Sequence, residues 1–327
     1  MQRMLSGIKP TGELHLGNYI GALRNFVKYQ EDYEMYVFIA NLHTVTIPQD
    51  PKEIHKYLID AIALYIACGL DKDKATIFLQ SDVLEHANLG FILSCHSYEG
   101  ELDRMTQYKD RKQKGETGLS VGFYTYPTLM AADILMYDAD FVPVGDDQKQ
   151  HVELARDIAE RMNNRYGQMF KVPKPLIAEV GARIMDLQDP ARKMSKSDQS
   201  DKGCIFLLDS PKTARKKIMS AQTDSVNIVQ FDTENQPGIS NLLTIYAALK
   251  EITIKEAELI FKDYRYGDFK KEVAQEVVEL LEKLQSDYTE IINSDIIEKT
   301  LTKGKEKAQK IASAKLDQVL TTLGIKI

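Results

Sequence analysis

Two short segments of this chain combine residue types suited to polyphosphate chemistry. The first is GIKPTGELHLGN, residues 7–18, where an apolar run passes into a Pro/Gly loop and then into a helix opening at Gly17-Asn18. Beyond the carboxyl end of a strand in an α/β sheet, a helix start offers unpaired N–H groups and the positive end of a dipole, and phosphate is the natural guest. His15 and Asn18 can add side-chain donors, and Gly17 lets a ligand approach the backbone closely. The same residues also make an ordinary turn with a capping asparagine. The second segment is RKMSKSD, residues 192–198. Lys193 and Lys196, with the hydroxyls of Ser195 and Ser197, put two compact cations on long stems in a polar loop. Such a loop can close over a polyphosphate and neutralise a leaving group. A solvated basic linker has the same composition.

These segments need a scaffold that brings them to one edge. RMLSGI (3–8), MYVFIA (35–40), ATIFLQ (75–80) and DFVPV (140–144) read as four strands. Tyr19, Ile20, Leu23, Phe26 and Val27 fall at helical spacing between the first two. Asp50-Pro51-x-Glu53 opens a second helix, carried by Ile54, Tyr57, Leu58, Ala61, Ile62 and Tyr65 to a stop at Gly69. Apolar strands alternating with helices predict a parallel, Rossmann-like sheet covered by helices on both faces. After about residue 186 the chain becomes a polar connector and then mostly helical. Val273, Val277, Leu281 and Leu284 form one stripe, and a lysine-rich amphipathic pattern runs from about Ser294 to Leu323. We therefore expect two domains, an α/β unit over 1–186 and an all-helical unit over 187–327.

Composition excludes several classes. With 327 residues, 43% of them hydrophobic, the chain can bury cores, so a disordered or fibrous protein is excluded. No run reaches the roughly 18 apolar residues of a membrane span, and MQRMLSGIKP lacks a secretory apolar region. Cys68, Cys95 and Cys204 are too few for a disulfide framework or a four-thiolate metal site. A soluble, cytoplasmic protein is expected. The net charge of -6 gives no overall basic field for nucleic acid. Such a partner would have to land on local basic stretches at 109–114, 212–217 or 302–315, each of which also reads as a solvated helix face.

The order and separation of the two polyphosphate segments, with a helical tail behind them, resemble the class I aminoacyl-tRNA synthetases. His15-Leu16-Gly17-Asn18 stands where that class carries its His-x-Gly-His element, with Asn replacing the last His, and KMSKS is intact from Lys193 to Ser197. YPTLMAADILMYDADFVPVGDDQKQHVELARDIAERMN (126–163) is similar almost residue for residue to the bacterial tryptophanyl-tRNA synthetases. VGARIM (180–185), KIMSAQTDS (217–225) and PGISNLL (237–243) extend the likeness over nearly the whole chain.

The resemblance implies a homodimer that uses ATP, Mg²⁺, L-tryptophan and tRNA(Trp), with a helical domain reading the anticodon. His15, Lys193 and Lys196 would be catalytic. Lys9, Pro10, Thr11, Gly17, Asn18, Gly145, Asp146, Asp147, Ile184, Lys193, Met194, Ser195, Lys196 and Ser197 would contact ATP. Gly7, His43, Met130, Asp133, Val142, Val144 and Gln148 would surround tryptophan. Asp133 lies in an otherwise apolar helical pattern, sharing a face with Met130 and Tyr137. It either faces water, the usual fate of aspartate, or sits in an apolar pocket and accepts the indole N–H, which only donates. Taken alone, His43 also reads as a capping or core-edge histidine, and the valines as packing residues. One departure concerns Lys9, where many relatives carry Gln, so that glutamine's role does not transfer. Tyrosyl-tRNA synthetase and a non-catalytic RNA- or amino-acid-binding paralogue are the alternatives to be separated, with a small-molecule adenylyltransferase further off.

Overall fold

The computed structural model describes residues 1–10, 12–145, 148–177, 183–195 and 201–327. The chain opens with β1 (Arg3–Ile8), followed by α1 (Leu16–Asn18), a wide turn at Tyr19–Leu23 and α2 (Arg24–Asp32). The single helix expected here is thus divided, and Gly21, a poor helix former, sits in the wide turn. Next come β2 (Glu34–Ile39), α3 (Pro51–Ala67), β3 (Thr76–Leu79), α4 (Glu85–Ser94), α5 (Glu99–Leu102), α6 (Thr106–Gln113) and α7 (Val121–Met136). As expected, α3 begins at Asp50, whose side chain accepts from Lys52 N at 2.8 Å, with Pro51 in the first turn. β4 (Phe141–Val144), α8 (Lys149–Tyr166) and β5 (Lys174–Ile177) complete the α/β part.

All strand pairs are parallel, in the order β3-β2-β1-β4-β5. Alternate residues feed two cores. Met4, Met35, Val37, Ile39 and Ile77 pack on one side of the sheet, Leu5, Tyr36, Phe38 and Phe78 on the other. β5 was not expected from the sequence. It carries Pro175 in a four-residue run, and proline lacks the ladder N–H, so it is tolerated here because β5 is an edge.

The remaining α-helices are α9 (Pro211–Met219), α10 (Pro237–Lys250), α11 (Ile254–Phe261), α12 (Tyr266–Ile292) and α13 (Ile296–Thr322). The expected α12 stripe is realised, with Val273, Val277, Leu281 and Leu284 all buried. The last helix returns to the sheet and closes the β3 edge. Gly304 lies so close that a Cβ there would stand 1.8 Å from the Ile77 carbonyl oxygen. Ala308, Ala312 and Val319 continue the contact into the core that holds Phe78 and Leu89.

Candidate active site

The strand order reverses between β1 and β4, and a cavity of about 370 Å³ opens there. In parallel sheets this switch point is where ligands bind. β1 contributes Leu5, Ser6 and Gly7, and β4 contributes Val142, Pro143 and Val144. Phe26, Phe38, Phe123, Met130 and Ile134 make most of the remaining wall apolar. All seven residues expected around the amino acid line this cavity: Gly7, His43, Met130, Asp133, Val142, Val144 and Gln148. Lys9 and Gly145, expected beside ATP, line it as well. Gly7 permits a close approach, since a Cβ on it would meet Phe38 Cζ at 2.6 Å.

Asp133 is fully buried, on the face of α7 that turns to the cavity. Its Oδ2 lies 2.9 Å from His43 Nε2. Its Oδ1 accepts from Gln80 Nε2 at 2.7 Å and lies 2.6 Å from His86 Nδ1. His86 Nε2 is in turn 2.7 Å from the Tyr137 hydroxyl. Burial acts to raise the Asp133 pKa, but the hydrogen bonds to His43 and His86 outweigh it and hold the carboxyl at about 2. It is therefore an anion, and an acceptor only. Gln80 and His86 did not stand out in the sequence. Gln80 closes the third apolar run at its carboxyl end, which in a parallel sheet is a signal that could have found it. His86 carries no comparable signal.

The described parts of the two polyphosphate segments meet. Leu16 N donates to Ile205 O at 2.8 Å, and a Cβ on Gly17 would lie 3.6 Å from Met194 Cβ. Met194 N donates to Ile184 O at 3.0 Å, and Lys193 bridges to Met185, so the start of KMSKS is zipped to the strand-like segment before it. Asn18 Oδ1 accepts from His15 N at 3.0 Å and closes the turn. The His15 ring is buried and its Nδ1 has no hydrogen-bond partner among the described residues. Burial, and then the nearby Lys193 ammonium, lower its pKa to about 4. The Lys9 ammonium is also held below its ordinary value, by burial and by Arg111. Pro10 borders a narrow cleft with Lys9, Gly12 and the α3 residues Tyr57 and Asp60. Ile184 and Met194 are buried and Ser195 is exposed. Thr11, Asp146, Asp147, Lys196 and Ser197 lie outside the described residues.

The basic stretches divide. Lys217 is buried, donating to Cys204 O and pairing with Asp209, each at 2.7 Å. Lys315 donates to Met169 O and pairs with Asp138, each at 2.8 Å. Lys307 pairs with Glu34 and Lys303 with Asp73. These four are engaged within the molecule, whereas Lys212, Lys216, Lys305 and Lys310 stand on the surface.

Comparison with known proteins agrees with this geometry. Residues 1–282 match the family model described as "tRNA synthetases class I (W and Y)". The chain is 50% identical over 325 residues to a tryptophan–tRNA ligase of Bacillus anthracis, spanning 99% of this chain and 98% of that protein. It belongs to the class I tryptophanyl-tRNA synthetases. A tryptophan–tRNA ligase of Malacoplasma penetrans is 52% identical over 330 residues, 99% of this chain and 98% of that one. The crystal structure of tryptophanyl-tRNA synthetase from Mycoplasma pneumoniae superposes with a TM-score of 0.90 at 38% identity, covering 100% of this chain and 98% of that one. The enzyme from Campylobacter jejuni, complexed with ADP and tryptophan, gives 0.85 at 36% identity, over 99% and 100% of the two chains. Like its relatives, this synthetase has a parallel sheet followed by a helical region. No helix among its described residues is long and apolar enough to cross a membrane.

Proposed function

We propose that this synthetase activates L-tryptophan with ATP to tryptophanyl-adenylate and transfers it to tRNA(Trp). One observation carries the amino-acid assignment: an ionised carboxylate, Asp133, buried in an apolar cavity at the strand ends. A carboxylate offers about four acceptor positions. Gln80, His86 and His43 fill three of them, with His43 alone on Oδ2. The fourth receives the indole N–H. Phenylalanine lacks the donor and would strand a buried acceptor at a cost of about 1–3 kcal/mol. Tyrosine would be rejected by shape and by its para-hydroxyl.

The tryptophan carboxylate attacks the α-phosphorus in line, the bond to the β-phosphate bridging oxygen breaks, and pyrophosphate leaves. No residue of the chain becomes covalently modified. Catalysis is positioning plus charge stabilisation. His15 and the Gly17-Asn18 turn lie at the phosphates, and Lys193 and Lys196 neutralise the departing pyrophosphate. Gly145, Asp146 and Asp147 hold the ribose, the Ile184 backbone meets the adenine, and Lys9, Pro10 and Thr11 flank the triphosphate. Met194, Ser195 and Ser197 complete the nucleotide loop. The 2′-hydroxyl of the terminal adenosine of tRNA(Trp) then attacks the adenylate carbonyl and AMP departs.

Mg²⁺ would accompany the triphosphate. Among the described residues no three His, Cys, Asp or Glu side chains converge on a metal position. An ion held by phosphate oxygens and waters requires no protein cage. Bound there, it supplies charge neutralisation.

We assign tryptophan and most of the ATP site to residues 1–186, and the KMSKS loop that completes the ATP site, together with the helical tRNA-binding part, to residues 187–327, and place the enzyme with its tRNA in the cytoplasm. A homodimer is favoured by an apolar face formed by Val45, Leu84, Phe91, Tyr98 and Val121, all exposed. Ser120 Oγ donates to Thr46 O, and the Tyr124 hydroxyl to Glu99 O, so these segments adjoin. Exposed apolar side chains gathered around α4 and the start of α7 favour an interface there. ATP–pyrophosphate exchange with each of the twenty amino acids tests the function. Tryptophan should drive it, a stronger response to tyrosine would reassign the substrate, and no response to any would leave only a binding role.

A further inference from the structure

The Asp133 carboxylate has two unequal oxygens. Oδ2 takes a single partner, His43, which lines the cavity. Oδ1 takes two, Gln80 and His86, and neither of these, nor Tyr137 behind them, lines it. All three are completely buried.

The protonation of this chain follows from its ends. Because Asp133 is ionised, the His86 Nδ1 at 2.6 Å must carry the proton it shares with Oδ1. Burial raises the Tyr137 pKa, so its hydroxyl keeps its proton. The acceptor within reach of that proton is His86 Nε2, at 2.7 Å. The ring is therefore held as the Nδ1–H tautomer, with Tyr137 donating into one nitrogen and the other donating to Asp133. Phe38 and Phe78, with ring centroids 5.8 and 6.1 Å from that of His86, pack around the imidazole. Two donors on Oδ1 resist rotation of the carboxylate about its Cβ–Cγ bond, since rotation would break both.

We propose that His86, aligned by Tyr137 and assisted by Gln80, is a positioning residue for tryptophan specificity: it pins Oδ1 so that Oδ2 alone addresses the substrate donor. This rests on the reading of Asp133 as the acceptor for the indole N–H. His86 touches no substrate, and its effect is confined to which ring chemistry the pocket prefers.

The test compares tryptophan with 3-benzothienylalanine, in which sulfur replaces the indole N–H at nearly constant shape, by ATP–pyrophosphate exchange. The wild-type enzyme should prefer tryptophan by roughly tenfold to a hundredfold in kcat/KM, the range expected for one buried donor. In His86→Leu the KM for tryptophan rises, the KM for ATP stays, and the preference falls toward unity. His86→Asn, whose amide N–H can stand in for Nδ1–H, restores most of the preference. Tyr137→Phe, which frees the tautomer, gives an intermediate loss and decides the matter should His86→Leu not fold. A preference unchanged in the folded variants, or an equal loss for both amino acids, overturns the inference and leaves His86 a packing residue. A wild-type enzyme that activates both amino acids equally would instead overturn the reading of Asp133 itself, and this inference with it.

Discussion

Lys193 stands close enough to the buried His15 ring that its charge, added to the larger effect of burial, keeps the imidazole neutral down to about pH 4. In the unfolded chain the same ring titrates near its ordinary value of about 6.5. Between those two pH values the unfolded state binds more protons, so stability falls as the pH drops through that window. A polyphosphate laid against His15 should reverse the balance, because an anion favours the imidazolium. Calorimetry should find that pyrophosphate binding takes up a proton near pH 6 in the wild-type enzyme. His15→Gln should lose that uptake, and should also lose the part of the acid destabilisation that lies between pH 6.5 and 4. Equal proton uptake by both proteins would mean that no anion comes near His15.

In the proposed mechanism the KMSKS lysines act on charge that appears only as pyrophosphate departs, so their loss would belong to the chemical step. Lys196→Ala and Lys193→Ala should each slow adenylate formation by roughly a hundredfold to a thousandfold, the usual range for one preorganised charge contact. Tryptophan affinity should hardly change. The chain contains no tryptophan of its own, so emission from the bound amino acid can be followed directly against a tyrosine background. Parallel losses in affinity and rate would reject the assigned role.

How much of this was legible beforehand follows from what each residue depends on. β1 to β3 announce themselves as apolar runs, because strands buried on both faces need nothing else, and β4 does so despite Pro143 because its other three residues are apolar. β5 does not, since Pro173 and Pro175 break up an already short apolar run whose partner, β4, lies across the intervening α8. The cavity-lining residues came through the family likeness rather than from their types, and Asp133 alone stood out physically, as a charge in an apolar helix. Gln80 and His86 stayed hidden because a polar side chain reveals its burial only when the fold supplies its partners. Lys217 and Lys315 were hidden for the converse reason. Both fall in lysine-rich stretches that read as solvated, yet each ends on a main-chain carbonyl and a carboxylate inside the molecule.

The apolar face around α4 predicts an oligomer that charge can break. Leu84 and Phe91 are about 70% and 71% exposed in the single chain. Introducing Leu84→Glu and Phe91→Glu together should leave the monomer folded, because neither side chain contributes to a core, while placing like charges against each other across a two-fold contact. Sedimentation should then find half the wild-type mass, with an unchanged circular dichroism spectrum. If the wild-type chain itself sediments as a monomer, the proposed dimer is rejected.

The floor of the cavity offers the most direct link between one residue and substrate choice. Gly7, next to last in β1, lies against the Phe38 ring, and a methyl group there would sit 2.6 Å from Cζ, closer than carbon atoms approach. Phe38 is itself packed against Phe78 and His86, so it cannot retreat from the cavity without disturbing the ring that aligns Asp133. Gly7→Ala should therefore raise the KM for tryptophan by about tenfold or more while leaving the KM for ATP near wild type. Its stability cost should be about 1–3 kcal/mol, as for other overpacked cores. Phe38→Leu opens a void at the same place and should weaken tryptophan binding by itself. Combined, the two changes relieve each other, since the new methyl group occupies space the smaller side chain has vacated. The double variant should bind tryptophan more tightly than the sum of the single losses allows, by roughly the 0.5–3 kcal/mol typical of residues in contact. Strict additivity in equilibrium binding and in denaturant midpoints would show that Gly7 is required for some reason other than its approach to Phe38.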